Sequence, residues 1–293
     1  MKPIVSVLMP IYNNAGTLAL ALASLRAQTF GDWECVIVDD GSTDHPEQIL
    51  AQYGDARIRY IRFPENRGRG TARQAALTAA EGNFIAFLDG DDWLFPHKLE
   101  RQLKAFETHP NAVAVSAAMA IVSAQNALVA VRGPASDVVG TARVPSQMSV
   151  PFAPSMVRAE VAKAVGFDPK FPIAEDADFM VGVLLGREYV LLCEPLYTYT
   201  EHSSVTFEKV SMAFHYCNVL QRKYAASYPA SVRSEIRKNN AKKVAYWFAN
   251  RLGAWEYMIR RRSVAATQDQ HRNFEAAWNV VRTAAVRPAA ISA

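Results

Sequence analysis

Short apolar runs alternate with amphipathic segments over the first 110 residues. The apolar runs lie at 4–12, 33–40, 58–63 and 84–88. Segments with helical spacing separate them; one ends near Gln28 and the others cover 46–53 and 72–80. Strands alternating with helices of this length predict a parallel sheet with right-handed crossovers. Because ligands bind at the carboxyl ends of such strands, the residues at 10–13, 39–42 and 89–92 are expected to border one cleft.

The second half continues as strands and helices. The uncharged stretch 111–131 approaches the length of a membrane span, but polar residues interrupt it, so two strands around a turn near Gln125 and Asn126 are expected. A strand at 150–158 should lead into a helix at 159–165, and an acid-rich segment at 175 should begin a helix that runs toward Leu185. Strands follow at 188–193 and 196–200, and helical spacing covers 210–228 and 232–255.

The fourth apolar run ends in three carboxylates, Asp89, Asp91 and Asp92. Carboxylates this close repel one another unless a cation or a set of donors neutralises them. Mg²⁺ is usually held by one or two carboxylates together with substrate phosphates, so the turn predicts a divalent metal on a phosphorylated ligand. The alternative is an acidic turn in which Asp92 caps a helix that begins near Pro96.

Ser42 or Thr43 is expected to cap the helix at 46–53 in the same way.

A basic loop precedes the third helix. Arg67, Arg69 and Arg73 lie beside Gly68 and Gly70, where free backbone N–H groups and basic side chains both favour an anion such as a diphosphate. The spacing matches neither the Walker loop nor the dinucleotide fingerprint. Taken alone, such a loop is more often a solvated turn.

Further candidate groups lie in the second half. Glu175, Asp176 and Asp178 begin a predicted helix, where acidic residues are favoured by the helix dipole alone. Among them we single out Asp176 as the functional candidate. His202 lies in a polar loop as a candidate metal ligand or phosphate contact, although a lone histidine there usually has neither role.

Composition and charge indicate the class of protein and its compartment. The chain has 293 residues, half of them hydrophobic and 20% charged, as expected for a soluble protein with a full core. No signal segment is evident, and three widely spaced cysteines argue against a disulfide framework and fit a reducing cytoplasm. Residues 207–293 carry a net charge of +10, with 15 Lys and Arg against 5 Asp and Glu, whereas the preceding part is acidic.

Six motifs in order give the chain a family resemblance. It resembles the family 2 glycosyltransferases over residues 3–206, through VSVLMPIYNN, VDDGSTD, ENRGRGTARQAAL, FIAFLDGDD, GFDPKF with AEDADF, and YTYTEHSSVT. The resemblance implies an α/β protein with the A-type glycosyltransferase fold, a mostly parallel Rossmann-like central sheet flanked by helices, and a helical C-terminal extension. The implied division is a catalytic domain at 1–206, with a nucleotide-binding half at 1–110 and an acceptor and catalytic-base half at 111–206, followed by a basic helical region at 207–293.

The resemblance also implies site roles, position by position. Asp176 would be the catalytic base, and Asp91 would face a Mg²⁺ or Mn²⁺ ion on the diphosphate, which His202 can approach. Contacts with the nucleotide-sugar donor would come from Pro10, Tyr12, Asp39 or Asp40, Arg73, Asp89 and Gly90. One departure is Gln74, where family members often carry Asn.

The implied activity is inverting transfer of a sugar from a nucleoside diphosphate, with UDP favoured over GDP or dTDP, to a glycan or a lipid-linked acceptor. Two alternatives stay open: a nucleotide-sugar-binding protein without turnover, and a metal-dependent nucleotidyltransferase. The basic tail is expected to pack against the catalytic domain or a second subunit. Alternatively, Arg260 to Arg262 with Trp247, Trp255 and Tyr257 would rest on an anionic membrane surface at the inner face of the membrane. Nucleic acid is not an expected partner, because no recognition motif accompanies the charge.

Overall fold

The structure is a computed structural model that describes residues 2–145, 150–200, 206–254 and 264–286. Its strands are β1 (Val5–Ile11), β2 (Trp33–Asp39), β3 (Ile58–Arg62), β4 (Phe84–Phe87), β5 (Trp93–Leu94), β6 (Ala112–Val122), β7 (Leu128–Arg132), β8 (Val138–Thr141), β9 (Met156–Arg158) and β10 (Glu188–Thr200). Its helices are α1 (Ala15–Arg26), α2 (Pro46–Tyr53), α3 (Arg69–Ala79), α4 (Lys98–Thr108), α5 (Ala159–Val165), α6 (Glu175–Leu184), α7 (Phe207–Lys223), α8 (Pro229–Arg251) and α9 (Gln268–Val286).

The strands form one twisted sheet in the order β3-β2-β1-β4-β9-β6-β10-β5, with β7 paired to β6 and β8 to β10. The prediction of parallel strands is confirmed for β1 to β4, whose carboxyl ends meet at one edge. Beyond β4 the sheet is mixed, because β9 runs antiparallel to both of its neighbours while β6 and β10 are parallel. The chain therefore has the expected α/β architecture with a second half that is less regular than the first.

Alternating side chains of the central strands build two hydrophobic cores. Val7 and Met9 of β1 face a core that includes Leu22 of α1 and Phe106 of α4, whereas Leu8 faces a second core. The second core is covered by α3, α5 and α6, with Phe179 at its centre. Both faces of the sheet are thus covered, which is why its central strands read as continuous apolar runs.

The stretch at 111–131 forms two antiparallel strands, β6 and β7, as predicted. Asn126 in the turn between them has a φ of 58°, a left-handed conformation that Asn tolerates well. Among the helices that the structure describes, none is long and apolar enough to cross a membrane.

The C-terminal helices pack on the sheet domain at two places. Phe274 of α9 is buried against Trp93 and Phe95. The Nζ atom of Lys223, at the end of α7, donates to Asp178 of α6 at 2.8 Å. The packing that we predicted for this region is therefore observed, and α9 contributes directly to the core. Residues 255–263, which include Trp255, Tyr257 and the three arginines, lie outside the described part of the chain.

Three local predictions are wrong. The N-cap of α2 is His45, with no side-chain cap, because Ser42 instead accepts a hydrogen bond from Asn13 N–H at 2.9 Å. The strand predicted at 150–158 is limited to β9, since residues 150–155 form turns. The strands predicted at 188–193 and 196–200 form the single strand β10, which absorbs Pro195 at an irregularity in its pairing with β6.

A fully buried lysine makes stability depend on pH. Lys98 begins α4, its Nζ atom donates to Gln102 Oε1 at 2.7 Å, and burial lowers its pKa from 10.5 to about 7. Because the unfolded chain binds this proton more tightly, the penalty is complete below about pH 7 and disappears as the pH rises toward 10.5. We expect Lys98→Met to raise the free energy of unfolding at pH 7 by about 2 kcal/mol, with part of the gain offset by the lost donor to Gln102.

Urea denaturation of both proteins at pH 6.5, 7.5 and 9 measures this effect. The difference between variant and wild type should shrink as the pH rises. Lys104→Met, at an exposed position of the same helix, is the control and should change stability by less than about 0.5 kcal/mol. A pH-independent difference for Lys98→Met would contradict the role assigned to Lys98.

Candidate active site

A single cleft of about 650 Å³ opens at the carboxyl edge of β1 and β4. Asp91 and Asp176 both line it, although they come from different halves of the chain. The other lining residues used below are Pro10, Tyr12, Asp40, Arg69, Arg73, Asp89, Gly90, Arg132, Tyr199 and Thr200. The structure therefore brings together most of the candidate residues that the sequence indicated.

The acidic turn after β4 depends on a glycine. A Cβ atom at Gly90 would lie 2.8 Å from Ile11 Cγ2 and close to Asn14, so a larger residue would force the side chain of Ile11 to shift. The Gly90 carbonyl oxygen accepts a hydrogen bond from Thr17 Oγ1 at 2.8 Å. These contacts fix the turn against β1 and α1, and Asp89 and Asp91 flank the cleft as a result.

Asp92 borders the same cleft as Asp89 and Asp91 but has different surroundings. It is buried, accepts hydrogen bonds from Tyr197 Oη at 2.8 Å and Thr200 N–H at 2.9 Å, and holds the turn against β10. Burial, with the charges of Asp91 and Asp89, raises the pKa of Asp92 well above its ordinary value. The alternative that Asp92 caps the next helix is also wrong, because α4 begins at Lys98 with His97 as its N-cap.

Asp89 and Asp91 are the two partly exposed carboxylates of the turn and are the candidates for a divalent metal. Among the residues that the structure describes, no group of three His, Cys, Asp or Glu side chains could hold an ion by itself. Asp89 and Asp91 nevertheless supply the hard oxygen ligands that Mg²⁺ and Mn²⁺ prefer, and the usual Mg²⁺ site is completed by substrate phosphates. The residues present fit a metal that binds with its substrate. His202, the other predicted ligand, lies outside the described residues.

An ion-pair network links the two halves of the cleft. Arg73 is buried and donates to Asp89 Oδ1 at 2.8 Å and to Glu175 Oε1, and Arg69 Nε lies 2.7 Å from the same Glu175 oxygen. Burial alone would lower the pKa of Arg73, but the charges of Asp89, Glu175 and Asp176 raise it. Burial raises the pKa of Glu175, although Arg73 and Arg69 oppose that effect. Glu175 therefore anchors two arginines at the cleft, a role that its sequence position did not reveal.

Asp176 follows an unusual backbone conformation. Ala174, the N-cap of α6, has a φ of 65°, which is costly for a residue with a Cβ atom and often occurs at functional sites. This turn directs Glu175 inward to the arginines and places Asp176 at the cleft. Asp176 is half-buried, and its Oδ1 accepts a hydrogen bond from Ala177 N–H at 2.8 Å.

The two acids after β2 have different surroundings. Asp39 is fully buried, accepts hydrogen bonds from Ser42 N–H at 2.8 Å and Tyr60 Oη at 2.6 Å, and is not among the residues that line the cleft. Asp40 lines the cleft and accepts hydrogen bonds from the N–H groups of Arg67 and Gly68. Asp40 is therefore the anion that these two amides bind here, and the diphosphate expected at the basic loop stays a prediction for its other groups.

Pro10 and Tyr12 form the rim on the β1 side. Tyr12 is 48% exposed, so its ring is available to a ligand in the cleft. Asn13 beyond it has a φ of 54° and accepts a hydrogen bond from Thr43 N–H through its side chain. The loops after β1 and β2 therefore hold each other in place next to the cleft.

Sequence reasoning missed several residues at the other end of the cleft. Arg132, Tyr199 and Thr200 line it from β7 and β10. Tyr197 holds the acidic turn from beneath, because its Oη also accepts a hydrogen bond from Asp89 N–H at 3.2 Å. A tyrosine in an apolar strand gives no signal of such a contact, since the pairing of β10 with β5 and β6 is set by the fold.

The chain has relatives among known glycosyltransferases. Residues 6–150 match the model of the family described as Glycosyl transferase family 2. A putative teichuronic acid biosynthesis glycosyltransferase of Bacillus subtilis, TuaG, is 44% identical over 105 residues, which are 35% of this chain and 42% of that protein. The Escherichia coli enzyme WfgD, a UDP-Glc:alpha-D-GlcNAc-diphosphoundecaprenol beta-1,3-glucosyltransferase, is 38% identical over 100 residues, 34% of this chain and 40% of that protein.

Solved structures share the fold of this chain over a larger part of its length than the curated relatives do. The structure of S. aureus TarS in complex with UDP-GlcNAc superposes with a TM-score of 0.57 at 25% identity, covering 75% of this chain and 66% of that one. The fold is the A-type glycosyltransferase fold. Through its residues 6–150 the chain belongs to glycosyltransferase family 2. The matched segment spans less than half the length of the two curated relatives named above.

Proposed function

We propose that the chain is a metal-dependent, inverting glycosyltransferase that moves a sugar from a nucleoside diphosphate, with UDP as the expected carrier, to a hydroxyl of a glycan or lipid-linked acceptor. The observation that carries this proposal is that Asp91 and Asp176 line one cleft. Transfer from a nucleotide-sugar donor needs both residues in one place, because Asp91 would act at the diphosphate and Asp176 near the sugar carbon that is attacked.

Positive charge at the cleft supports binding of the diphosphate. Arg69 is half-exposed, and its guanidinium is oriented by Glu175, as is that of the buried Arg73. A bound Mg²⁺ or Mn²⁺ on Asp91 would neutralise the charge that develops on the departing diphosphate. The likeness in fold to S. aureus TarS, whose structure was solved in complex with UDP-GlcNAc, adds support for this class of donor.

The nucleoside is expected at the rim on the β1 side of the cleft, next to Pro10 and Tyr12. An exposed tyrosine ring can stack on a base or pack against a ribose. Of the two adjacent acids, we expect Asp40 to contact the base, because it borders the cleft whereas Asp39 is buried in a network of its own. Asp39 would support that contact by fixing the loop that contains Ser42.

Asp176 is the proposed base. A carbohydrate hydroxyl is a weak nucleophile until a carboxylate accepts its proton. Asp176 would take that proton at its Oδ2 atom, since Oδ1 is oriented by Ala177 N–H. Attack on the sugar carbon from the side opposite the diphosphate breaks the bond to the leaving oxygen and inverts the anomeric centre. The acceptor would approach past Arg132 and Tyr199, in the half that we assign to acceptor binding, 111–206.

We expect the purified protein to release a nucleoside diphosphate from one member of a panel of UDP-, GDP- and dTDP-sugars, and EDTA to reduce that release by about 100-fold or more. Chromatography of the products separates nucleoside diphosphate from pyrophosphate. Pyrophosphate as the product would indicate a nucleotidyltransferase instead, and binding of a donor without release at any metal concentration would indicate a binding protein.

A further inference from the structure

The outer face of α8 carries large apolar side chains in water. Val244, Trp247, Phe248 and Leu252 are 55%, 43%, 54% and 79% exposed. Val244 lies three and four residues before Trp247 and Phe248, and Leu252 follows Phe248 by four, so all four lie on one side of the helix and at its C-terminal end. These four residues are called the α8 apolar face below. Isolated exposed apolar residues are common, but four large ones together mark an interaction surface.

This face is not the one that packs on the protein. The buried positions of α8 include Asn239 and Tyr246, which contact α7 through a hydrogen bond to Asn218 and a ring contact with Phe214. Helical spacing puts these positions on the opposite side from the α8 apolar face. The helix therefore has two apolar sides, and its packing against α7 accounts for only one of them.

Basic side chains surround the α8 apolar face. Exposed Arg237 and Lys243 precede Val244 and Trp247, and the guanidinium of Arg251 lies over the Trp247 ring at 5.3 Å. The helix has six Lys and Arg residues and a single acidic one, Glu235, which pairs with Lys238 at 2.8 Å. Large apolar side chains flanked by cations are the composition of a helix that lies at the surface of an anionic bilayer.

We propose that the α8 apolar face docks on an anionic lipid surface, with Trp247 and Phe248 inserted among the headgroups and Arg237, Lys243 and Arg251 on lipid phosphates. A symmetric contact between two copies of the chain fits less well. Such a contact would bring these cations near the same cations of the second copy, where they would repel. An anionic surface, by contrast, is attracted by all of them.

This inference rests on the proposed function only for the reason why the chain would bind a membrane, which is that a lipid-linked acceptor would lie on that surface. The docking itself depends on α8, which contributes no residue to the catalytic cleft. Vesicle binding and donor hydrolysis can therefore succeed or fail independently.

Sedimentation of the full chain with vesicles tests the proposal. We expect the wild-type protein to pellet with vesicles of phosphatidylcholine and phosphatidylglycerol but weakly with phosphatidylcholine alone. The double variant Trp247→Ser, Phe248→Ser should bind the mixed vesicles about tenfold less tightly or worse, since the apolar area that enters the interface is lost. Lys243→Glu should weaken binding about fivefold or more and reduce its salt dependence.

Control variants at exposed positions outside α8 show whether the loss of vesicle binding is specific to the α8 apolar face. Val129→Ser, Val139→Ser removes two valines that are 59% and 51% exposed on β7 and β8, and Lys104→Glu reverses an exposed charge on α4; both should bind vesicles as the wild type does. All variants should hydrolyse donor in solution at the wild-type rate. Equal vesicle binding by the Trp247 and Phe248 variant would overturn the proposal, as would a wild-type dimer that this variant dissociates.

Discussion

Asp176→Asn is expected to lower the rate of sugar transfer by about 1000-fold or more while the Kd for the donor changes by less than about threefold. An amide of the same shape keeps the Oδ1 acceptor for Ala177 N–H, so the turn before α6 should stay in place. It cannot accept the proton of the acceptor hydroxyl at neutral pH. Transfer at saturating donor, together with calorimetric titration of the same donor, measures the two quantities separately.

Asp178→Asn provides the control in the same helical turn. Asp178 pairs with Lys223 of α7 at 2.8 Å and is not among the residues of the cleft. Its replacement should lower stability through the loss of that ion pair and leave the transfer rate within about threefold of wild type. If Asp176→Asn transferred sugar as fast as Asp178→Asn, the base would have to be another group.

The acidic ends of β2 and β4 illustrate what the sequence could predict. An apolar strand followed by carboxylates is a local pattern, and the rule that parallel strands end at one edge places those carboxylates near each other. The sequence pattern therefore predicts that Pro10, Asp40, Asp89 and Asp91 border one cleft, and all four line it. This prediction is possible because each strand and the carboxylates after it are close in the chain.

The partners of those carboxylates could not be predicted in the same way. Asp92 accepts hydrogen bonds from Tyr197 and Thr200, and Arg73 donates to Glu175, across about 100 positions of sequence in both cases. Which acid faces water and which is buried depends on how β10 and α6 pack, and no local pattern records that packing. The local pattern could not tell which of the three carboxylates is buried, whereas the structure shows that it is Asp92.

The difference between neighbouring carboxylates yields the most discriminating test of the metal site. Asp91→Asn should lower transfer by about 100-fold or more and shift the dependence of the rate on Mg²⁺ or Mn²⁺ to higher metal concentrations, because an amide is a weaker ligand for a hard cation. Asp92→Asn should keep transfer within about fivefold of wild type. Its Oδ1 can still accept from Thr200 N–H, and a neutral amide resembles the protonated acid that burial of Asp92 favours.

Rates measured across a series of Mn²⁺ concentrations for both variants decide between the two roles. If Asp91 is the ligand, only Asp91→Asn should need more metal, and raising the metal concentration should restore part of its rate. Equal losses in the two variants would mean that the acidic turn acts as one unit, held by Tyr197 beneath it, and that the distinction between its members has no bearing on the metal. An Asp92→Asn protein that alone lost its metal response would reverse the assignment, because the buried carboxylate would then have to rotate toward the cleft during turnover.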